Sequence, residues 1–254
     1  MDLNLKGKKV LITGGSKGIG RACAELLAAE GCTLHLAARG EEALRQTKET
    51  IASQYQTTIA LHAIDLTKGD SARALATACT EIDILINNAG AIPRGDLWQI
   101  KEPQWREAWD LKVFGYINLC REVYPLMRAR GKGVIINIIG AAGERPHWEY
   151  IAGGTGNAAL MAFTRALGAR SLRDGIRVLA INPGLIKTAR LEILLRSGAQ
   201  KRFGDPERWR ELLPKDPPAG EPMDIANFVA FLASERARFA TGSVVTVDGG
   251  YAAM

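Results

Sequence analysis

Residues 10–20 read Val10-Leu11-Ile12-Thr13-Gly14-Gly15-Ser16-Lys17-Gly18-Ile19-Gly20: an apolar run, a glycine turn and the start of a helical pattern. Backbone N–H groups at a helix start, together with the helix dipole, attract a diphosphate. Gly14, Gly18 and Gly20 allow the tight turn, the close approach of phosphate and the packing of helix on strand. The chemistry this implies is dinucleotide binding. Which dinucleotide depends on the end of the second apolar run. A reader of the ribose 2′-OH would be an acidic residue near Ala38, and none is there. Instead Arg39 follows, and Lys17 lies in the glycine loop beside Ser16. Two cations and a hydroxyl suit a 2′-phosphate, so NADP(H) is expected over NAD(H). The alternative is that both cations are solvated surface charges.

These residues need a scaffold. Short apolar runs at 9–12, 33–37, 58–63, 84–86, 133–138, 177–181 and 244–247 alternate with amphipathic segments such as 19–29, 41–53, 71–78 and 103–130. That rhythm belongs to βαβ units, and runs apolar nearly throughout suit strands covered on both faces. The expected fold is α/β: one doubly wound Rossmann-type domain, residues 1–254, with a parallel sheet of about seven strands and helices on both faces. No repeat or linker divides the chain. Residues 188–221 break the rhythm with a short helical piece at 189–196 and a charged, Pro- and Gly-rich loop, expected to form a lid.

Together with Asn87-Asn88-Ala89-Gly90, Asn182-Pro183-Gly184 and Val247-Asp248-Gly249-Gly250, the glycine loop resembles the TGxxxGxG, NNAG and PG motifs of the short-chain dehydrogenase/reductase family, along nearly the whole chain. The resemblance implies that Asp65 with Leu66 binds the adenine side, that Asn88, Ala89 and Gly90 line the ribose, and that Pro183, Gly184, Ile186 and Thr188 line the nicotinamide end. It also implies the lid's role over the substrate and a homodimer or homotetramer through two long helices near 103–130 and 157–172.

The family's Asn-Ser-Tyr-Lys tetrad has no counterpart here. Its YxxxKAAL stretch aligns on Gly153-Gly154-Thr155-Gly156-Asn157-Ala158-Ala159-Leu160, leaving Gly153 for Tyr, Asn157 for Lys, Gly140 for Ser and Lys112 for Asn. Lys112 and Asn157 thus stand as a reciprocal exchange, with the ammonium expected near Asn157 and the ribose. Tyr150, three residues before Gly153, is the nearest phenol, nearly one helical turn away. His147 and Glu149 are the other proton carriers at hand. Each glycine of the 153–156 cluster costs roughly 1 kcal/mol of helix propensity relative to Ala; the cluster marks a close approach or a later helix start.

Three readings remain open: an oxidoreductase on a carbonyl or alcohol with Lys112, Tyr150 and Asn157 at a rebuilt site, an inactive nucleotide-binding sensor or subunit, and a non-redox lyase or isomerase. The substrate implied is a small molecule. Arg190, Arg196, Lys201, Arg202, Arg208 and Arg210 of the lid suit an anionic one, unless with Glu192, Asp205, Glu207 and Glu211 they form a solvated face. A net charge of +6 is mild and lacks the basic stripe of a nucleic-acid binder. No apolar run reaches the length of about 20 residues that spans a bilayer, and residues 1–6 lack the order of a secretion signal. Cys23, Cys32, Cys79 and Cys120 show no metal spacing, so no metal is expected, and reduced thiols fit a cytoplasmic protein.

Overall fold

A computed structural model describes residues 2–253. Seven parallel strands form one sheet in the order β3-β2-β1-β4-β5-β6-β7. They are β1 (Lys9–Thr13), β2 (Thr33–Ala38), β3 (Ile59–Ala63), β4 (Ile84–Asn87), β5 (Gly133–Ile138), β6 (Ile176–Pro183) and β7 (Val244–Val247). The order reverses between β1 and β4, and in open α/β sheets ligands bind beyond the carboxyl ends of the strands at such a switch point.

Successive strand residues feed opposite faces. Val10 and Ile12 join one core with α1 (Gly18–Ala29), α2 (Glu41–Ala52) and α8 (Pro222–Ala233). Leu11 joins the other with α3 (Ser71–Ala78), α5 (Gly115–Ala129) and part of α6 (Ile151–Ser171). Both faces are covered, which explains the unbroken apolar character of the strands. Behind β6 and α8, the buried Arg177 guanidinium donates to the carbonyls of Leu232, Ala233, Ser234 and Ala237, filling acceptors left where α8 ends.

Two segments depart from the sequence expectation in ways that shape the site. The single helix expected over 103–130 is α4 (Glu102–Trp109), one turn of π-helix at Asp110–Phe114, and α5. The π turn carries Lys112 and offsets the faces of the flanking helices; such turns often mark functional sites. Secondly, α6 begins at Ile151, so the glycine cluster lies inside the helix instead of before it. Close packing outweighs propensity there. A Cβ on Gly156 would stand 3.2 Å from both Trp109 Nε1 and Val113 Cγ2, and one on Gly154 would stand 3.2 Å from the Ala142 carbonyl oxygen. Trp109 uses that access to donate from Nε1 to the Ala152 carbonyl at 3.0 Å.

Residues 188–221, expected to form a lid, hold more regular structure than their composition suggests. Helix α7 (Ala189–Phe203) runs well past residue 196 and is followed by a 3₁₀ segment, Pro206–Leu212. Leu191, Leu195 and Ala219 with Trp209, Leu212 and Leu213 give it a small core of its own against the same domain. Among the described residues no helix is long and apolar enough to cross a membrane.

Candidate active site

The glycine loop connects β1 to α1 at the switch point. Gly14 has φ +66, and a Cβ there would lie 2.8 Å from Asn88 Nδ2. A Cβ on Gly20 would lie 2.3 Å from the Gly14 carbonyl oxygen, and one on Gly18 3.1 Å from Thr188 Cγ2. The loop therefore holds its shape only with glycine at these places. Helix α1 starts after an extended Lys17 that makes no side-chain cap, so the first-turn N–H groups keep no side-chain acceptor. This cradle fits a diphosphate. The Asn88 segment is fastened to it: Thr13 Oγ1 accepts from Asn88 N at 2.9 Å and Ala89 N at 3.1 Å, while Asn88 Nδ2 donates to the Thr13 carbonyl at 3.0 Å.

Lys17 in the glycine loop and Arg39 just past β2 are both exposed, and Ser16 is partly so. The Asp65 carboxyl lies below the usual carboxylate range, chiefly because Thr67 N donates to it at 3.1 Å, with the Thr67 hydroxyl and Arg39 adding to the effect. Arg39 is thus within electrostatic reach of Asp65. Leu66 backs this corner against Gly115.

On the other side of the switch point, Gly184 N donates to the Val247 carbonyl at 3.0 Å. A Cβ on Gly184 would lie 2.5 Å from that of Asp248. Ile186 is buried and pairs with Gly220 by a single bridge. Thr188 caps α7, its hydroxyl accepting from Leu191 N at 3.2 Å.

Between these edges the structure brings Lys112, Gly90, Ile139, Gly140 and Asn157 together. The Lys112 stem packs on Gly90, where a Cβ would stand 2.9 Å from Lys112 Cδ. Its Nζ donates to the Ile139 carbonyl at 2.5 Å, at the residue that follows β5. The residue as a whole keeps slight exposure, yet its ammonium is enclosed by protein atoms; desolvation first, and the Arg190 cation second, push its pKa down to about 8. Gly140, next in the chain, has φ +148 and its N–H reaches Asn182 Oδ1 at 3.3 Å. A Cβ on Gly140 would lie 2.8 Å from Asn157 Nδ2. Asn157 is buried, and its Oδ1 has no hydrogen-bond partner among the described residues.

Tyr150 is not on the helix, as the sequence led us to expect, but precedes it with φ −138 and ψ 37. From there its ring folds back over Gly153, where a Cβ would fall 2.1 Å from both Tyr150 Cε1 and Cζ. Ile92, Ile100, Ala108, Ala152 and Trp105 enclose the ring. Burial raises the phenol pKa, partly offset by Arg190. Arg190 itself, at the start of α7, donates from its guanidinium to the Ile92 carbonyl.

A family model for enoyl-(acyl carrier protein) reductase matches residues 14–252. The 2-keto-3-deoxy-L-fuconate dehydrogenase of Xanthomonas campestris pv. campestris is 32% identical over 97% of this chain and 81% of its own. The 3-oxoacyl-(acyl-carrier-protein) reductase of Vibrio cholerae is 31% identical over 98% of each. Among solved structures, L-sorbose reductase from Gluconobacter frateurii, complexed with NADPH and L-sorbose, superimposes with a TM-score of 0.91 at 32% identity over 100% of both chains. The chain belongs to the short-chain dehydrogenase/reductase family.

Within this family member, the proton carriers considered from sequence separate by geometry. Glu149 is ion-paired with Arg94 at 2.6 Å, and that contact first of all holds its carboxyl below the usual range. It is a poor proton donor. His147 lies on the exposed rim, its Nδ1 4.0 Å from Glu149. The lid cations separate too. Arg196 pairs with Glu192 and Glu207, and Arg208 with Glu211. Arg202 stacks on Phe203, Arg210 stacks on Trp209, and Lys201 reaches Gln99 at 3.2 Å. Arg190 is the lid cation that turns toward Lys112 and Tyr150, which charge counting along the sequence did not single out.

The overlap at Gly153 generates a test. A tyrosine at 153 and the Tyr150 ring claim the same space, so position 153 cannot take a tyrosine while Tyr150 stays. Gly153→Tyr alone is expected to destabilise the fold by roughly 2 kcal/mol or more through overpacking. Adding Tyr150→Gly should recover at least half of that loss in urea denaturation, a coupling the double-mutant cycle reads directly. Strictly additive effects would show that the two rings do not compete.

Proposed function

We propose that this protein is an NADP(H)-dependent oxidoreductase acting on a small carbonyl or alcohol substrate that carries an acidic group, with a rebuilt proton-transfer site in place of the family tetrad. The observation that carries the reading is the enclosed Lys112 ammonium held on the Ile139 carbonyl, where the next residue, Gly140, lies against Asn157.

NADPH, when bound, supplies the hydride. The N–H groups at the start of α1 would hold its diphosphate, with Gly14, Gly18, Ile19 and Gly20 forming the cradle. Ser16, Lys17 and Arg39 would take the 2′-phosphate, and Asp65 with Leu66 the adenine side. Asn88, Ala89 and Gly90 would line the ribose, and Pro183, Gly184, Ile186 and Thr188 the nicotinamide end. Lys112 gives a proton to the substrate oxygen, because an ammonium pushed to about 8 is charged at neutral pH yet able to release its proton. Tyr150, kept protonated by burial, donates a hydrogen bond to the same region. Asn157 offers its unpaired Oδ1 to a hydroxyl or water of the bound complex. Arg190 places a cation for the acidic group, and a sugar-acid dehydrogenase stands among the similar proteins. A homodimer or homotetramer through α5 and α6 belongs to the same reading; light scattering that gives a monomer at micromolar concentration would remove it.

Cofactor choice rests on Lys17 and Arg39. Arg39→Ala should weaken NADPH binding about tenfold, the loss of about 1.4 kcal/mol expected for one charge contact, and leave NADH binding unchanged. Calorimetric titration of both cofactors decides it, and equal losses for both would contradict the assignment.

The proton role fixes two opposite pH responses. Lys112 must be charged to act as acid, so kcat/KM for NADPH-linked reduction of a panel of keto acids and ketoses should fall as pH rises through about 8. Stability runs the other way. The folded pKa lies below the ordinary lysine value of 10.5, so between about 8 and 10.5 the unfolded chain binds the extra proton. The burial penalty is full below 8 and relieved as pH rises. Lys112→Met should abolish turnover and leave the protein at least as stable as the parent at neutral pH. Undiminished turnover in that variant would overturn the proton role, and NADPH binding without turnover on any substrate of the panel would favour a nucleotide-binding protein.

A further inference from the structure

Three donor side chains that take no part in the proposed reaction meet at the β3 edge of the sheet. His35 Nδ1 lies 3.0 Å from His62 Nε2, and Cys79 Sγ lies 3.3 Å from the first and 3.6 Å from the second. The pairing of β2 with β3 produces this meeting. Ala37 pairs with His62, so His35 and His62 are diagonal neighbours on one face, and their rings stack 5.3 Å apart. Helix α3 covers that face, and Cys79 is the first residue past its end.

The spacing matches a tetrahedral metal. Zinc bonds of about 2.05 Å to nitrogen and about 2.3 Å to sulfur give tetrahedral edges of about 3.3 Å between nitrogens and about 3.6 Å from nitrogen to sulfur. The observed 3.0, 3.3 and 3.6 Å fall close to those edges. All the ligand atoms lie within 4.8 Å of one another. Two imidazoles and a thiolate are borderline-soft donors, suited to Zn²⁺ and not to Mg²⁺ or Ca²⁺. Cys79 is buried, while His35 and His62 are partly exposed, so an ion enters from the imidazole side.

We propose that His35, His62 and Cys79 form a Zn²⁺ site, with a water in the fourth position. On binding, the Cys79 thiol loses its proton to solvent, and the imidazoles bind neutral, His35 with its proton on Nε2 and His62 with its proton on Nδ1. The site fastens β2 and β3 to α3. These are the strands whose ends carry Arg39 and lead to Asp65, so the metal is structural and holds the proposed 2′-phosphate corner in place. Separations of 27 and 17 residues form no metal motif, which is why the sequence pointed to none.

The test uses tag-free full-length protein, stripped with chelator and titrated with Co²⁺ as a spectroscopic probe for Zn²⁺. One equivalent should bind and give tetrahedral d–d bands with a thiolate-to-cobalt charge-transfer band, both displaced by Zn²⁺, and Zn²⁺ should raise Tm by several degrees. Cys79→Ser should remove the charge-transfer band, and His35→Gln or His62→Gln should weaken binding at least tenfold. Cys32→Ser, which alters another buried thiol, should change nothing. Circular dichroism of the stripped variants controls for folding. Absence of Co²⁺ binding at micromolar concentration, or a thiolate band that survives Cys79→Ser, would overturn the proposal and leave the trio a hydrogen-bonded cluster.

Discussion

A lysine ammonium enclosed at the end of β5, paired with a backbone carbonyl and not with a carboxylate, is the constraint on which the site depends. Its charge faces the Ile139 carbonyl and, farther off, the like charge of Arg190. Such burial is unfavourable unless the surrounding backbone is fixed to receive it. Three features fix it. The π turn at Asp110–Phe114 directs Lys112 inward, Gly90 leaves room for its stem, and Gly140 at φ +148 passes the chain beside Asn157. A side chain at either glycine would displace one of the partners. Desolvation that costs stability also brings the proton affinity near the working range of an acid catalyst.

Where Gly153 leaves a void, Tyr150 enters from outside the helix and packs its ring into it. The space that Gly153 leaves is therefore filled by a phenol that comes from residue 150 and not from residue 153. Arg190 then closes the same region from the lid, tied to the Ile92 carbonyl. The start of α7, the glycine cluster and the π turn thus meet around the carboxyl ends of β4, β5 and β6.

The fold was legible because its signal is repeated: apolar strands at every βα unit, a glycine loop after the first, and turn motifs at their ends. The glycine loop was legible for the same reason, since its backbone geometry demands glycine at fixed spacing. What sequence could not supply was direction. Whether 103–130 is one helix or a helix broken by a π turn depends on packing of Trp109 against α6, not on apolar periodicity. That Tyr150 lies before α6 with its ring over Gly153 depends on a single irregular residue. Arg190 looked like Arg196 and Arg208 in the sequence, and only the ion pairs of the other two set it apart. The His35–His62–Cys79 trio was invisible because strand pairing and α3 assemble it from separate units.

The most direct test of the account is the proton affinity of Lys112 measured in solution, by Nζ resonances of protein labelled with ¹⁵N-lysine across a pH titration. One lysine should titrate near 8, vanish from the spectrum of Lys112→Met and shift when NADP⁺ is added. If every lysine instead titrates near the ordinary value of about 10.4, or the low-titrating one does not respond to the cofactor, Lys112 is not the proton carrier.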